Sequence, residues 1–475
     1  MPLQLNSTSW ILLCLLLQCL ADNPGVKIQI TQNGLYYGAE YLISQISSVS
    51  LSDITGSVTI ASQSMDYSLT QVKMVSFQYS NSSANFIPEK GFQISIYGGN
   101  STVNGTWQLD SSIMQDSGLS ILTLKGISAT VTLGMRQSNK NMVSIFLISC
   151  QSEINGIDFR VEGGVDYVYD AVKGPMENII RSKVNEMLCS ALRLQISDWD
   201  QSLSAFLSNM SLSSGLDLSL TKDPIFSKQY AEMDVKGGSD TNISMAGGHP
   251  SAPMTFSKLP DSMVQVCISE FSLNVAIRAS FAANVFTNLF SGFTSFRNIR
   301  TSDLSDFLPE ISQHFPEPSP VQIRIYQSTA PTLYVKPSNV TVAFVGVLQT
   351  YAMPSNTTRR LLFTATTAFS ISSNISVSNK SQANGMNITG SIILSSFQLQ
   401  INRNESSINI PEDVSNEKGI QDIIKVTFTT FLNEKIGKAG IYIPLDFLRN
   451  LSIYMKDRFI LLAGDLQMSS DFLSS

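Results

Sequence analysis

The chain has 475 residues, which is too long for one compact core and predicts two domains. Charged residues make up 14% of it, against an average of about a quarter, and the net charge of −6 argues against a nucleic-acid-binding surface. The many Ser, Thr and Asn residues in place of charges are typical of strand-rich secreted proteins.

The N-terminus has the pattern of a signal peptide, although a basic segment at its start is missing. The apolar run at residues 10–20 (WILLCLLLQCL) is too short to span a bilayer, and Ala21 supplies the small residue of a cleavage site. Residues 1–21 are therefore predicted to be a signal peptide. No later apolar run approaches about eighteen residues, so the mature chain is predicted to be soluble and not membrane-spanning.

Many glycosylation sequons follow the signal peptide and predict a secreted, extracellular glycoprotein. Their asparagines are Asn81, Asn100, Asn104, Asn209, Asn242, Asn339, Asn356, Asn374, Asn379, Asn387, Asn404 and Asn450. Two of them lie in the uncharged stretch 98–107 (GGNSTVNGTW), which its Gly and Asn residues predict to be a loop between two strands.

Helices are predicted where apolar residues recur at helical spacing. The first follows a strand at 26–30, and its stripe consists of Leu35, Ala39, Leu42, Ile43 and Ile46. The second has Pro175 near its start, and its stripe consists of Met176, Ile179, Ile180, Val184, Met187, Leu188, Ala191 and Leu192. Between them, alternation such as that of Phe92, Ile94 and Ile96 predicts half-exposed antiparallel strands.

The second half repeats this order. Helices are predicted at 269–286 and 419–440, with alternating segments between them, as in residues 321–326. Residues 235–260 contain four Gly and three Pro and are predicted to connect the halves. The predicted domains are therefore 22–234 and 261–475, related by internal duplication.

Cleavage at residue 21 leaves three cysteines, Cys150, Cys189 and Cys267. The odd number predicts one disulfide and one free thiol. A bridge between Cys150 and Cys189 would close a loop of about 40 residues. Cys267 is interpreted as a half-buried unpaired thiol, with intermolecular pairing as the alternative.

The sequence has few residues suited to catalysis. His249 lies in the Gly- and Pro-rich connection and His314 in a turn (SQHFPEP), and we find no nucleophile elbow, phosphate loop or dinucleotide fingerprint. No cofactor or metal site is predicted, and the protein is predicted not to be an enzyme. The apolar helix stripes either complete a core or border a cavity for acyl chains, and their spacing alone fits both.

Three segments carry a resemblance to a known family. Residues 23–35 (NPGVKIQITQNGL) resemble the mature N-terminus of the bactericidal permeability-increasing protein and lipopolysaccharide-binding protein family. Residues 431–436 (FLNEKI), followed by 443–445 and 459–466 (FILLAGDL), resemble its C-terminal end. Cys150 and Cys189 occupy the positions of that family's disulfide. With the central linker, the resemblance covers essentially the whole mature chain.

The resemblance implies an α+β fold: an elongated boomerang of two similar domains, each a highly twisted antiparallel β-barrel wrapped with long helices, joined by a central β-sheet. It also implies an apolar tunnel for a phospholipid in each domain. By position, the N-terminal tunnel would be lined by Leu35, Ala39, Leu42, Ile43 and Ile46, with Ile180, Val184 and Met187 facing them.

Charge sets this chain apart from family members that capture lipopolysaccharide through cations at the N-terminal tip. No Lys or Arg lies between Lys27 and Lys73 or between Lys90 and Lys125, and these gaps contain the segments that the resemblance places at that tip, 44–57 and 97–112. The first hypothesis is therefore a secreted carrier of phospholipid or another acyl-chain lipid, in lipid transfer or innate defence. The alternatives are an antibacterial lipopolysaccharide-binding protein that uses Lys73, Lys90 or Lys125, and a structural or receptor-interacting glycoprotein with closed cores.

Overall fold

The chain repeats one order of elements in its two halves. This computed structural model describes residues 23–45, 52–60, 63–111, 114–163, 166–239, 251–259, 261–283, 299–354, 358–378, 386–410, 414–433, 441–443 and 448–467. The predicted signal peptide, Ile46 and residues 240–250 and 260 of the predicted linker lie outside these residues.

In each half, a short strand leads into a helix, several long strands follow, and a second helix precedes the last strands. The first half consists of β1 (Val26–Thr31), α1 (Gln32–Gln45), β2 (Ile54–Ile60), β3 (Gln63–Gln78), β4 (Asn81–Ile87), β5 (Gly91–Ser111), β6 (Met114–Gln137), β7 (Val143–Glu162), α2 (Asp166–Ser214), β8 (Ile225–Phe226) and β9 (Tyr230–Val235).

The second half has two additional short helices after its first helix. It consists of β10 (Val264–Ser269), α3 (Glu270–Ala282), α4 (Thr301–Ser305), α5 (Glu310–His314), β11 (Val321–Gln327), β12 (Thr332–Lys336), β13 (Asn339–Ala352), β14 (Arg360–Ser378), β15 (Met386–Asn402), a 3₁₀ turn (Arg403–Glu405), α6 (Val414–Leu432), β16 (Ile441–Ile443), β17 (Leu448–Lys456) and β18 (Phe459–Leu466).

Three antiparallel sheets organise these elements. The N-terminal sheet has the order β2-β3-β5-β6-β7 with β4 paired to β5, and the C-terminal sheet has the order β11-β13-β14-β15-β16 with β12 paired to β13. The central sheet, β17-β18-β10-β1-β9-β8, takes strands from both halves, and Ile28 of β1 lies between Met233 and Val266. The expected α+β class and the central sheet that joins two similar halves are confirmed.

The first helix of each half holds the short outer strand of its sheet. In the first half, the Gln32 side chain donates a hydrogen bond to the Ala84 carbonyl of β4 at 2.8 Å. In the second half, the Asn274 side-chain oxygen accepts from the Leu333 N–H of β12 at 2.7 Å. These equivalent contacts support the internal duplication that the sequence predicts.

The prediction of a loop at 98–107 is wrong, because these residues form the middle of β5 and pair with both β3 and β6. Gly98 has a φ of +62°, and the pairing with β6 shifts register between Ile96 and Asn100. The glycines are therefore accommodated as a bulge in a continuing strand. Strand-forming residues that follow, such as Val103, keep the alternation and are buried.

The helix boundaries differ from the sequence-based ones. Helix α2 begins at Asp166, so Pro175 lies inside it and not at its start. Helix α3 begins after Ser269, whose hydroxyl accepts a hydrogen bond from the Ser272 N–H at 3.1 Å and caps the helix. Among the described helices, none is long and apolar enough to cross a bilayer.

Candidate functional site

An apolar cavity lies between α1, the second part of α2 and the N-terminal sheet. The space inside it amounts to about 40 Å³, and to about 450 Å³ when the open solvent at its mouth is counted. The enclosed part therefore has room for a few water-sized groups, and the rest of the space is a groove open to solvent. All its lining side chains are apolar or aromatic: Leu42, Ile43, Ile94, Ile96, Ala129, Val131, Leu133, Leu192, Ile196 and Trp199.

Polar contacts at the sheet edge hold α2 beside the cavity. Asp200 follows the lining residue Trp199, and its carboxylate accepts a hydrogen bond from the Ile145 N–H of β7 at 2.7 Å. The Ser144 hydroxyl donates to the same carboxylate at 3.2 Å. This aspartate explains how a polar segment (SDWDQS) continues the helix while its tryptophan packs inward.

The disulfide that the resemblance implied, between Cys150 and Cys189, is present in the structure. It joins β7 to α2 with a Cα–Cα distance of 5.7 Å. Cys189 lies one turn before Leu192, which lines the cavity. The bridge therefore fixes the wall of the cavity to the sheet covalently.

Of the predicted lining residues, only Leu42 and Ile43 line this cavity. Leu35 and Ala39 are buried in the same cluster as Ile43, beneath β4 and β5. Ile46 lies outside the described residues.

The structure does not bring Ile180, Val184 and Met187 opposite α1. They pack in a separate cluster against the N-terminal sheet, where Ile180 is fully buried. The reason is the length of α2, in which each residue advances the helix by about 1.5 Å. Ile180 and Trp199 are thus roughly 28 Å apart along the helix, and α1 meets the later part.

Eight lining residues were not among those predicted, although the sequence contains signals for some of them. Ile94 and Ile96 belong to an alternation that the sequence shows clearly, and Leu192 ends the helix stripe. Ile196 and Trp199 continue that stripe at helical spacing beyond Leu192. Which sheet residues lie above them depends on strand register, which one sequence does not specify.

The corresponding region of the C-terminal half contains a packed aromatic core. Phe428 of α6 is fully buried, and its ring meets that of Phe369 edge-on at 4.9 Å. Phe369 also stacks on Phe344 at 4.9 Å and lies 6.3 Å from Phe397. These rings occupy the space between α6 and the C-terminal sheet.

Catalytic or metal-binding groups do not converge in the described part of the chain. His314 is exposed at the end of α5, with Nδ1 3.1 Å from the Glu310 carbonyl oxygen, and His249 lies outside the described residues. The residues that the structure describes include no group of three or more His, Cys, Asp and Glu that could hold a metal ion. An uncharged apolar cavity can bury hydrocarbon, and its lining supplies no acid, base or nucleophile.

Cys267 is a free thiol and is more deeply buried than the sequence predicts. It lies in β10 beneath Met254, Phe459 and Leu461, with no measurable exposure. Burial raises the pKa of its thiol to about 12. The residue is therefore part of the central core.

Comparison with known proteins agrees with this architecture. A family model described as the LBP / BPI / CETP family, N-terminal domain, matches residues 34–210, and the model for the C-terminal domain of that family matches residues 208–468. A crystal structure of a lipopolysaccharide-binding protein superposes with a TM-score of 0.54 at 18% identity, covering 94% of this chain and 99% of that one.

Named relatives align over nearly the full length. A bactericidal permeability-increasing protein of Sebastes schlegelii is 23% identical over 96% of this chain and 98% of its own. A BPI fold-containing family C protein of Homo sapiens is 24% identical, with 94% and 89% covered. A lipopolysaccharide-binding protein of Bos taurus is 23% identical, with 92% and 91% covered. The chain therefore belongs to the LBP/BPI/CETP family.

Proposed function

We propose that the protein is a secreted, non-enzymatic lipid-binding glycoprotein that holds an acyl chain of a phospholipid-like ligand in the cavity of its N-terminal half. The observation that carries the proposal is the lining of that cavity, which contains no charged side chain. Each methylene group buried there contributes roughly 0.8 kcal/mol before the costs of ordering the ligand.

The disulfide and the Asp200 contacts support a preformed cavity. Both attach α2 to β7, so the helix that forms one wall does not have to be ordered by the ligand. Preorganisation lowers the free-energy cost of binding. The proposed mechanism is burial of hydrocarbon without covalent chemistry, and it suits transfer of lipid as well as storage.

Native mass spectrometry of the secreted protein, followed by lipid extraction, tests the proposal. We expect one acyl-chain lipid per protein, and expect its loss in two variants that fill the cavity from opposite walls, Ala129→Phe and Leu192→Trp. Ala368→Phe, at a half-buried position on β14, is the matched control and keeps the lipid. Wild-type protein without extractable lipid that takes up none from vesicles contradicts the proposal and favours a structural glycoprotein with closed cores.

A second candidate function is lipopolysaccharide binding, which the names of the bovine and human relatives suggest. Lys73, Lys90 and Lys125 are exposed and could meet the phosphates of such a ligand. Binding should then weaken steeply with added salt and fall in Lys73→Gln/Lys125→Gln. Salt-independent or absent binding rejects this function while leaving the acyl-chain proposal intact.

We also propose the domain boundaries predicted from the sequence, 22–234 and 261–475 with the connection 235–260. Limited proteolysis should cut first between residues 240 and 250. Stable fragments with ends inside either half would argue for other boundaries.

A further inference from the structure

The two large sheets differ in the charge of their strands. The six strands of the C-terminal sheet contain no Asp or Glu, and their charged residues are Arg324, Lys336 and Arg360. The strands of the N-terminal sheet contain six acidic residues against four basic ones: Asp66, Asp110, Asp116, Glu153, Asp158 and Glu162, and Lys73, Lys125, Arg136 and Arg160. In a chain of net charge −6, the C-terminal sheet is therefore a local region of positive potential.

Cations and aromatic rings meet on the outer face of this sheet, next to the connection between β13 and β14. The guanidinium carbon of Arg324 lies 6.0 Å from the centre of the Tyr351 ring, and that of Arg359 lies 5.1 Å from the same ring. Arg324 also donates a hydrogen bond to the Tyr326 hydroxyl at 3.5 Å. We call Arg324, Tyr326, Tyr351, Met353 and Arg359 the Arg–Tyr patch.

The burial pattern places the patch outward. Along β13 the even-numbered residues from Phe344 to Ala352 are buried, so Tyr351 and Met353 belong to the opposite face. Along β11, Val321, Ile323 and Ile325 point inward, which puts Arg324 and Tyr326 on the same outer face. Tyr326 is 47% exposed and Met353 is 37% exposed.

Among the residues that the structure describes, the charges of the patch have no carboxylate partner. Within the described residues, neither arginine forms an ion pair, and Arg324 Nε is buried without a hydrogen-bond partner. An arginine offers up to five donors in a planar fork that fits two phosphate oxygens at once. The guanidinium groups of Arg324 and Arg359, both beside the Tyr351 ring, therefore have N–H donors left for an anion outside the protein.

We propose that the Arg–Tyr patch docks the protein on the surface of an anionic phospholipid membrane. Arginine binds lipid phosphates, while tyrosine and methionine place apolar groups beside polar ones at the depth of the lipid headgroups. The acidic first half is repelled by such a surface, so the protein is oriented with its C-terminal sheet toward the membrane. The inference goes beyond the proposed lipid cavity and does not require that cavity to hold a ligand.

Cosedimentation with vesicles tests the proposal. The parent protein and an Asn356→Gln variant are both tested, because that sequon lies between β13 and β14 in the chain. We expect binding to vesicles of mixed phosphatidylcholine and phosphatidylserine, little binding to phosphatidylcholine alone, and weakening by salt. Arg324→Gln/Arg359→Gln should reduce binding to the anionic vesicles about thirtyfold.

The matched control removes two positive charges from the first half instead. Arg136→Gln/Lys140→Gln, at exposed positions at the end of β6, should leave vesicle binding unchanged or slightly weaker by less than about threefold. A Tyr326→Trp variant adds a local probe, whose fluorescence should shift to shorter wavelength only with anionic vesicles. Thermal unfolding verifies that each variant is folded.

Three results overturn the proposal. Equal losses in the patch variant and in the control mean that net charge, not the patch, governs binding. If the patch variant binds anionic vesicles as tightly as the unchanged protein, another surface docks on the membrane. No binding to either vesicle means that the patch does not dock the protein on a membrane. None of these results bears on lipid occupancy of the cavity, which native mass spectrometry measures separately.

Discussion

Lys73 and Asn104 are direct cross-strand partners on the outer face of the N-terminal sheet. On the other side of β5, Lys125 is the partner of Asn100, and all four side chains are exposed. The two sequons thus lie between two lysines, although no lysine is near them in sequence. Cross-strand partners have Cβ atoms about 5 Å apart, so a glycan on either asparagine would cover its lysine.

Removing these glycans should therefore create an anion-binding surface. We expect Asn100→Gln/Asn104→Gln to bind anionic vesicles more tightly than the parent, by up to about thirtyfold for two uncovered lysines. Adding Lys73→Gln/Lys125→Gln should remove the gain. A gel shift first establishes that both sequons carry glycans, and unchanged binding after their removal would show that the glycans do not shield the lysines.

The disulfide should stabilise the first half strongly. The bridge spans 39 residues, and the chain-entropy model gives about 4 kcal/mol for a loop of this size. We expect Cys150→Ser/Cys189→Ser to lower the urea midpoint accordingly and to weaken lipid retention, because only the noncovalent contacts of α2 with β7, such as those of Asp200, remain. Equal stability with and without the bridge would mean that noncovalent packing alone holds the helix.

Phe428→Ala should destabilise the C-terminal half by about 3–5 kcal/mol, since it empties the centre of a close-packed aromatic core. Urea unfolding measures the loss. Val426→Ala, on the exposed side of the same helix, is the matched control and should change stability by less than about 0.5 kcal/mol. A small effect of Phe428→Ala would indicate that this core collapses around the missing ring.

Cys267 should be unreactive in the folded protein at neutral pH. The thiolate is the reactive form, and burial raises the pKa of this thiol to about 12. We expect a thiol reagent to label no site in the native mature chain and one site after unfolding in denaturant. Labelling of the native protein at neutral pH would show that the central sheet opens readily.

The same thiol should make stability fall in alkaline solution. The pKa is higher in the folded state than the ordinary value of 9.0, so only the unfolded chain ionises between pH 9 and about 12. The contribution of Cys267 is therefore complete below pH 9 and declines as pH rises through that interval. Urea titrations at several pH values measure the free energy of unfolding. Between pH 9 and about 12 it should fall less steeply in Cys267→Ala than in the parent. An equal fall in both proteins would mean that other groups cause it.

Part of this fold could be predicted from the sequence because its signals are local. The alternation of Val321, Ile323 and Ile325 predicts β11. The apolar stripe predicted for α1 is buried in the structure at Leu35, Ala39 and Ile43. The strand at 98–107 could not be predicted in this way, because it depends on pairing with distant strands and not on local signals. Its glycines favour turns when taken alone, but pairing on both sides with β3 and β6 outweighs that preference.

The site was harder to predict than the fold because it depends on distance along a long helix and on strand register. The stripe of α2 is real, yet the sequence does not specify which of its turns faces α1. Likewise, the lysines beside Asn100 and Asn104 are 25 and 31 residues away from their partners in the chain. Only the register of three strands reveals those pairs.

The central sheet has a consequence for biosynthesis. Its strand β1 is among the first segments of the mature chain to be made, yet it pairs with β10, which in turn pairs with β18 near the C-terminus. The sheet is thus completed only when synthesis is almost finished, and until then β10 presents an open edge that can pair with other chains. A chain that ends before residue 459 keeps that edge permanently, so premature termination should yield aggregation rather than a shorter working protein.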